Sequence, residues 1–134
     1  MPFKYEIIES KKLLYAKAIG EVTFSELMNH LDELCQDSKY KAPMKKLIDY
    51  RQVKKMDISM NEQERFVEKK VSLKELFFGE KCPIVAPTDF GFALARVHGA
   101  LIEGSNIDTS IFRYFNEALA WLDVELDDDE LISG

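Results

Sequence analysis

The sequence predicts an α/β fold, a two-layer sandwich with a mixed, mostly parallel sheet. Three observations carry this: β-rich runs alternate with helical segments, two of those segments open on capping boxes, and Lys81 to Ala86 is apolar enough for a strand buried on both faces. Strands separated by helices imply right-handed crossovers and hence parallel neighbours. A hairpin at the start adds one antiparallel member at an edge, so the expected order is ββαβαβαβα.

Tyr5 to Glu9 and Leu13 to Ile19 are the two strands of that hairpin, joined through Ser10-Lys11-Lys12. Thr23-Phe24-Ser25-Glu26 reads as a capping box, and Leu27, Met28, Leu31, Leu34 and Cys35 then recur at three and four residues as one apolar stripe. Tyr40-Lys41-Ala42-Pro43 ends that helix. Lys46 to Tyr50 is the next strand, followed by a loop from Asp49 to Ser59. Ser59-Met60-Asn61-Glu62 is a second capping box opening a helix through about Phe77, with Phe66, Val67, Leu73, Leu76 and Phe77 on its core face. After the strand Lys81 to Ala86, Pro87-Thr88 turns into a helix bearing Phe92, Ala95, Leu101 and Ile102, for which Gly104 is the natural C-terminal stop. Ile107 to Phe112 alternates as a final strand, and Asn116 caps a short helix with Ala118, Leu119, Trp121 and Leu122.

At 134 residues the chain is the size of one domain, able to bury about two-thirds of its unfolded surface. Residues 1–122 form that domain. The remainder, 123–134, holds six acidic residues and no Lys or Arg, which accounts for the whole net charge of −6; it is expected to be a flexible acidic tail. An acidic tail on a neutral body disfavours nucleic acid. No apolar run reaches the roughly 20 residues of a membrane span, and the opening Met1 to Tyr5 has no apolar signal core, so a cytoplasmic location is expected. Cys35 and Cys82 have no CxxC spacing and no His cluster near them, and read as buried free thiols.

Chemistry has little footing. The chain has no Gly-rich phosphate loop, GxSxG elbow, HExxH or paired-carboxylate signature, so neither an enzyme nor a cofactor or metal is expected. His30 and His98 fall within helices, and a partly buried structural role is favoured for both. Ligands in parallel α/β sheets gather where strand C-termini meet helix N-termini, which directs attention to Asp49, Arg51, Asp57 and Ser59 and to Thr88, Asp89, Phe90 and Phe92. Asp49 can bind a ligand or fix its own turn, and the structural role is favoured. Arg96 can pair with Glu103 or Asp89, or present a guanidinium to an anion. The 9 Phe, 5 Tyr and 1 Trp are more than a small sandwich can fully bury; of the suspects Phe77, Phe78, Phe90 and Phe92, core filling accounts for about half, and any left exposed would form a self-association surface or the mouth of an apolar pocket.

The element order together with LIDYRQVKKMDIS, residues 47–59, resembles the STAS domain, the fold of bacterial anti-sigma-factor antagonists. The GEVTF helix start and the block IVAPTDFGFALARVHGALIEGSNIDTSIFRYFNEALAWL resemble its SpoIIAA-like branch, whose relations include lipid-binding domains. The resemblance spans Tyr5 to Leu122. It implies that a phosphoacceptor serine follows the loop aspartate, here Asp57, but the next residue is Ile58; Ser59 is explained as a helix cap. The expectation is a non-catalytic protein-interaction or regulatory module lacking the usual phosphoacceptor, with a protein partner, such as a second copy of the chain in a homodimer, bound through the Asp49 to Ser59 loop. The alternative is a carrier or sensor of a small apolar or lipid-like ligand.

Overall fold

The computed structural model describes residues 3–126. Five strands lie in the order β1-β2-β3-β4-β5: β1 (Phe3–Ile8), β2 (Leu13–Thr23), β3 (Lys45–Asp57), β4 (Lys81–Val85) and β5 (Asp108–Phe112). β1 pairs antiparallel with β2 across a single 3-10 turn at Glu9–Lys11, and every other pairing is parallel. The helices are α1 (Phe24–Gln36), α2 (Met60–Ser72), α3 (Lys74–Phe77), α4 (Asp89–Ile102) and α5 (Phe115–Leu122). The α/β sandwich with an edge hairpin is therefore present as expected.

Alternation along the strands sorts their side chains between two cores. Leu14, Ala16, Ile48 and Ile84 meet the apolar faces of α1, α2, α3 and α4. Leu13, Tyr15, Leu47 and Val85 turn the other way and are covered by Ala118 and Leu122 of α5, with Val124 and Leu126 packed alongside. Of the tail expected to be flexible, residues 127–134 lie outside the described residues.

Several local expectations are corrected. The segment read as a binding loop after Asp49 is strand: β3 continues to Asp57, because the second half of β2 offers it a parallel ladder that runs to Thr23 beside Asp57, with register shifts near Ile19 and Gly20. Ser59 forms the expected capping box, its Oγ accepting from the Glu62 amide while the Glu62 carboxylate accepts from the Ser59 amide. Thr23 forms none; its hydroxyl donates to the Glu26 carboxylate at 3.3 Å instead of accepting from the backbone. The helix from Ser59 breaks at Leu73, so α2 and α3 are separate. Tyr114, not Asn116, stands at the N-terminal cap of α5. Cys82 is a buried free thiol, but Cys35 is exposed, on the outer side of the α1 stripe.

Gly104 follows the α4 cap at φ +88°, the left-handed stop its position suggested. Gly79, between α3 and β4, has φ +74°, and a Cβ built there would meet Pro43 Cβ at 3.2 Å. Gly79→Ala should therefore cost about 1–2 kcal/mol, from the backbone conformation with the contact added. Urea unfolding checks this; an unchanged midpoint would show that the turn relaxes freely.

Candidate functional site

Charged and polar side chains lie inside the core beneath α1, α2 and α4. Lys46, Lys70 and Glu80 are at most 2% exposed, and His30 is 4% exposed. Lys46 enters because alternation along β3 puts it on the same face as Ile48, and Lys70 because it shares the buried stripe of α2 with Phe66 and Val67. Glu80 sits directly before β4. Its Oε1 accepts from Lys70 Nζ at 2.7 Å and its Oε2 from the Tyr40 hydroxyl at 2.7 Å. Burial works against the Glu80 carboxylate, but Lys70 and Lys46 outweigh it and hold its pKa below the usual range. Lys70 is held above its usual value because Glu80 outweighs the burial penalty.

Lys46 has no such partner. Among the described residues its ammonium has no hydrogen-bond acceptor, and its contact is with the face of Phe77, 5.4 Å from the ring centre. Burial, with Lys70 close by, lowers its pKa to about 8. Two lysines against one carboxylate leave an excess positive charge in the interior.

His30 also lacks polar partners. It is stacked on Phe3 with ring centres 4.8 Å apart and meets Tyr5 edge-on, yet neither Nδ1 nor Nε2 has a hydrogen-bond partner. Burial, with Lys46 and Lys70, keeps it neutral by driving its pKa well below the usual value. The same causes, burial first, lower His98 to about 3. Burial raises the Cys82 thiol to about 11, so it is no thiolate nucleophile near neutral pH.

These groups share a cavity of about 60 Å³. Its walls are otherwise apolar, built from Phe3, Ile48, Phe66, Ile84 and Ala95 among others. Lys46, Lys70 and Cys82 are its most buried lining residues, at most 2% exposed, while Tyr50, Met56, Ile58 and Leu94 are half-buried. The room is that of about two water molecules.

None of the candidate binding residues Asp49, Arg51, Asp57, Ser59, Thr88, Asp89, Phe90, Phe92 and Arg96 lines this cavity, whereas His30, His98 and Cys82, read as structural, do. Asp49 is buried on the opposite face of the sheet, where Tyr15 donates to its Oδ2 and Arg51 grips both oxygens at 2.9–3.1 Å through its side chain, with its amide adding a further bond. Arg51 in turn lies 4.0 Å over the Phe115 ring of α5. Asp57 is exposed at the end of β3. Ser59 and Thr88 are occupied as the caps of α2 and α4. Asp89 pairs with Arg113 at 2.8 Å, and Arg113 stacks on Phe92, so Arg96 pairs with neither Asp89 nor Glu103 and lies exposed. Phe90 is exposed and, with Thr88, borders a separate cleft of about 200 Å³ beside the outer half of β3. Phe77 is fully buried, while Phe78 is exposed. Lys46, Lys70 and Glu80 were missed, although a lysine within the strand run Leu47–Ile48 and another on an apolar helical stripe are visible in the sequence.

A solved structure of an uncharacterised protein of the DUF3478 family with a SpoIIAA-like fold, from Shewanella loihica PV-4, superposes with a TM-score of 0.56 at 18% identity, covering 90% of this chain and 91% of that one. This chain has a SpoIIAA-like fold. No family profile matches the sequence, and no curated protein matches it. In this SpoIIAA-like fold the residue after Asp57, where the resemblance placed a phosphoacceptor, is the apolar Ile58, and its side chain belongs to the cavity wall. Among the described residues no helix is long and apolar enough to cross a membrane, and no cluster of three metal-ligating residues occurs.

The Lys46 charge should cost stability. Since folding lowers its pKa from 10.5 to about 8, the unfolded chain holds the proton more tightly between those values; the penalty is full below pH 8 and fades as pH rises toward 10.5. Lys46→Met should therefore stabilise the fold by roughly 1–3 kcal/mol at pH 7. Calorimetry across pH 7 to 10.5 should show this advantage shrinking; a gap independent of pH would mean the ammonium is already neutralised.

Proposed function

We propose that this protein is a non-catalytic carrier or sensor of a small, largely apolar ligand, held between the sheet and α1, α2 and α4. The observation that carries the reading is His30: both ring nitrogens are unpartnered in the wall of an otherwise apolar cavity. A buried polar group without a partner costs about 1–3 kcal/mol, and a ligand that supplied the partner would recover it. An apolar pocket with a few converging polar groups is the ordinary form of a small-molecule site.

Chemistry at this site has little support. Cys82 is a protonated thiol, and the two histidines are neutral rings with no carboxylate hydrogen-bonded to orient them. The reading of a partner-binding module rested on a loop from Asp49 to Ser59, and most of that segment is paired strand. Exposed Phe78, Phe90 and Tyr114 remain available to a protein partner, and Phe78 and Phe90 border separate clefts of about 270 and 200 Å³.

Native mass spectrometry of protein gently purified from its own source tests the reading. A reproducible small organic mass on the folded protein is expected; a bare, unmodified chain would overturn the carrier function and leave protein partners as the object of search. Ala95→Val, which enlarges a buried wall residue, should remove that mass or weaken binding at least fivefold while the protein stays folded, at a cost of about 1–3 kcal/mol in stability.

A further inference from the structure

The cavity does more than accept apolar surface. Where its lining is most buried, two ammonium groups face one carboxylate, and Glu80 is already committed to Lys70 and Tyr40. Lys46 keeps all its donors unused, and His30 lies in the same wall with one ring N–H and one ring lone pair unused. We propose that the ligand is a monoanionic amphiphile whose carboxylate docks against the buried wall residues Lys46 and His30, with its short alkyl chain running past Ile84 and Ala95 toward the half-buried Met56 and Ile58. This rests on the reading of the cavity as a ligand site and names the ligand's chemistry.

Charge selects the head group. One carboxylate cancels the single excess charge of Lys46, Lys70 and Glu80, whereas an alcohol leaves it standing and a phosphate monoester dianion overshoots it. Two carboxylate oxygens also match the donors on offer: the ammonium and the ring N–H of a neutral imidazole. Volume sets the chain. About 60 Å³ holds the head and the first carbon or two, so the remaining methylenes must lie among the half-buried side chains, where Met56 is unbranched and able to repack.

The groups facing this buried part from every packed element are His30 of α1, Tyr40 of the following loop, Tyr50 of β3, Lys70 of α2, Glu80, Cys82 of β4 and His98 of α4. Both histidines are neutral at pH 7, Glu80 is ionised, and the thiol and both phenols titrate above their usual values. Lys46 is therefore the group that changes charge between pH 7 and 10, and carboxylate affinity should decline as pH rises through about 8.

Isothermal titration calorimetry of the full chain with hexanoate, hexanol and hexyl phosphate tests the proposal. Hexanoate should bind at least tenfold more tightly than the other two at pH 7, and the preference over hexanol should disappear at pH 10. Lys46→Met, which removes a buried charge rather than core volume, should stay folded and bind hexanoate no better than hexanol. Equal binding of hexanoate and hexanol to the wild type overturns the carboxylate assignment while leaving the carrier reading intact. Tighter binding of hexyl phosphate, or a preference that survives in Lys46→Met, also overturns it. Binding of none of the three overturns this ligand class, and the carrier function is then decided by the copurified mass.

Discussion

The structure depends on how a carboxylate is kept ionised in its core. Glu80 brings together α2 through Lys70, the segment after α1 through Tyr40, and the start of β4 on which it sits. A buried ion survives only when charge and hydrogen bonds are supplied together, so the three segments, separated by 10 and 40 residues in sequence, must converge for any of them to be tolerated. Phe77 completes the group: its edge meets the Tyr40 ring, and the ammoniums of Lys70 and Lys46 lie 5.1 and 5.4 Å from its centre. This aromatic contact and the nearby Glu80 charge are the compensation the protein itself gives Lys46, and neither is hydrogen-bonded to its ammonium.

The two faces of the sheet solve the same problem to different degrees. On the α5 side the buried carboxylate of Asp49 is saturated, with Tyr15, the Arg51 guanidinium and the Arg51 amide all donating to it and Phe115 stacked beneath the guanidinium. Such a site has no free valence for a ligand. On the opposite side the polar groups are comparably buried but incompletely matched: Glu80 is satisfied, while Lys46 and His30 are not. The cavity coincides with the unmatched pair. Incomplete satisfaction next to empty volume is what the proposed carrier reading rests on, because replacing buried, poorly matched polar groups by apolar ones is often neutral or stabilising.

Most of the fold was legible in the sequence because its signals are local. The Ser59 capping box, the Pro87-Thr88 turn, the apolar run of β4 and the stripe of α1 each depend on residues a few positions apart, and each element lies where those signals put it. The second half of β3 was not legible, because Arg51, Gln52, Lys54 and Lys55 are exposed and carry no burial pattern; what makes them strand is the neighbouring ladder of β2, thirty or more residues away. The site was illegible for a related reason. Asp49 and Arg96 look functional as isolated charged residues beside turns, whereas Lys46 and Lys70 look like ordinary surface lysines until the period of each element is used to place them among Ile48, Phe66 and Val67. A charge on an apolar stripe was the available signal, and it is weaker than a motif because long lysine side chains often escape to the surface from such positions.

Ile58 links the fold's resemblance to its chemistry. In the antagonists that the sequence resembles, the residue after the aspartate is expected to carry a phosphoryl group, which requires a hydroxyl presented to solvent and to a kinase. Here the same position is an aliphatic side chain packed against the core and lining the cavity. The capping box of α2 begins at the next residue, and the helix then sends Gln63, Phe66 and Lys70 into the same cavity. The end of β3 and the inner face of α2 thus meet in the walls of one cavity, which Ile58, Gln63, Phe66 and Lys70 line together.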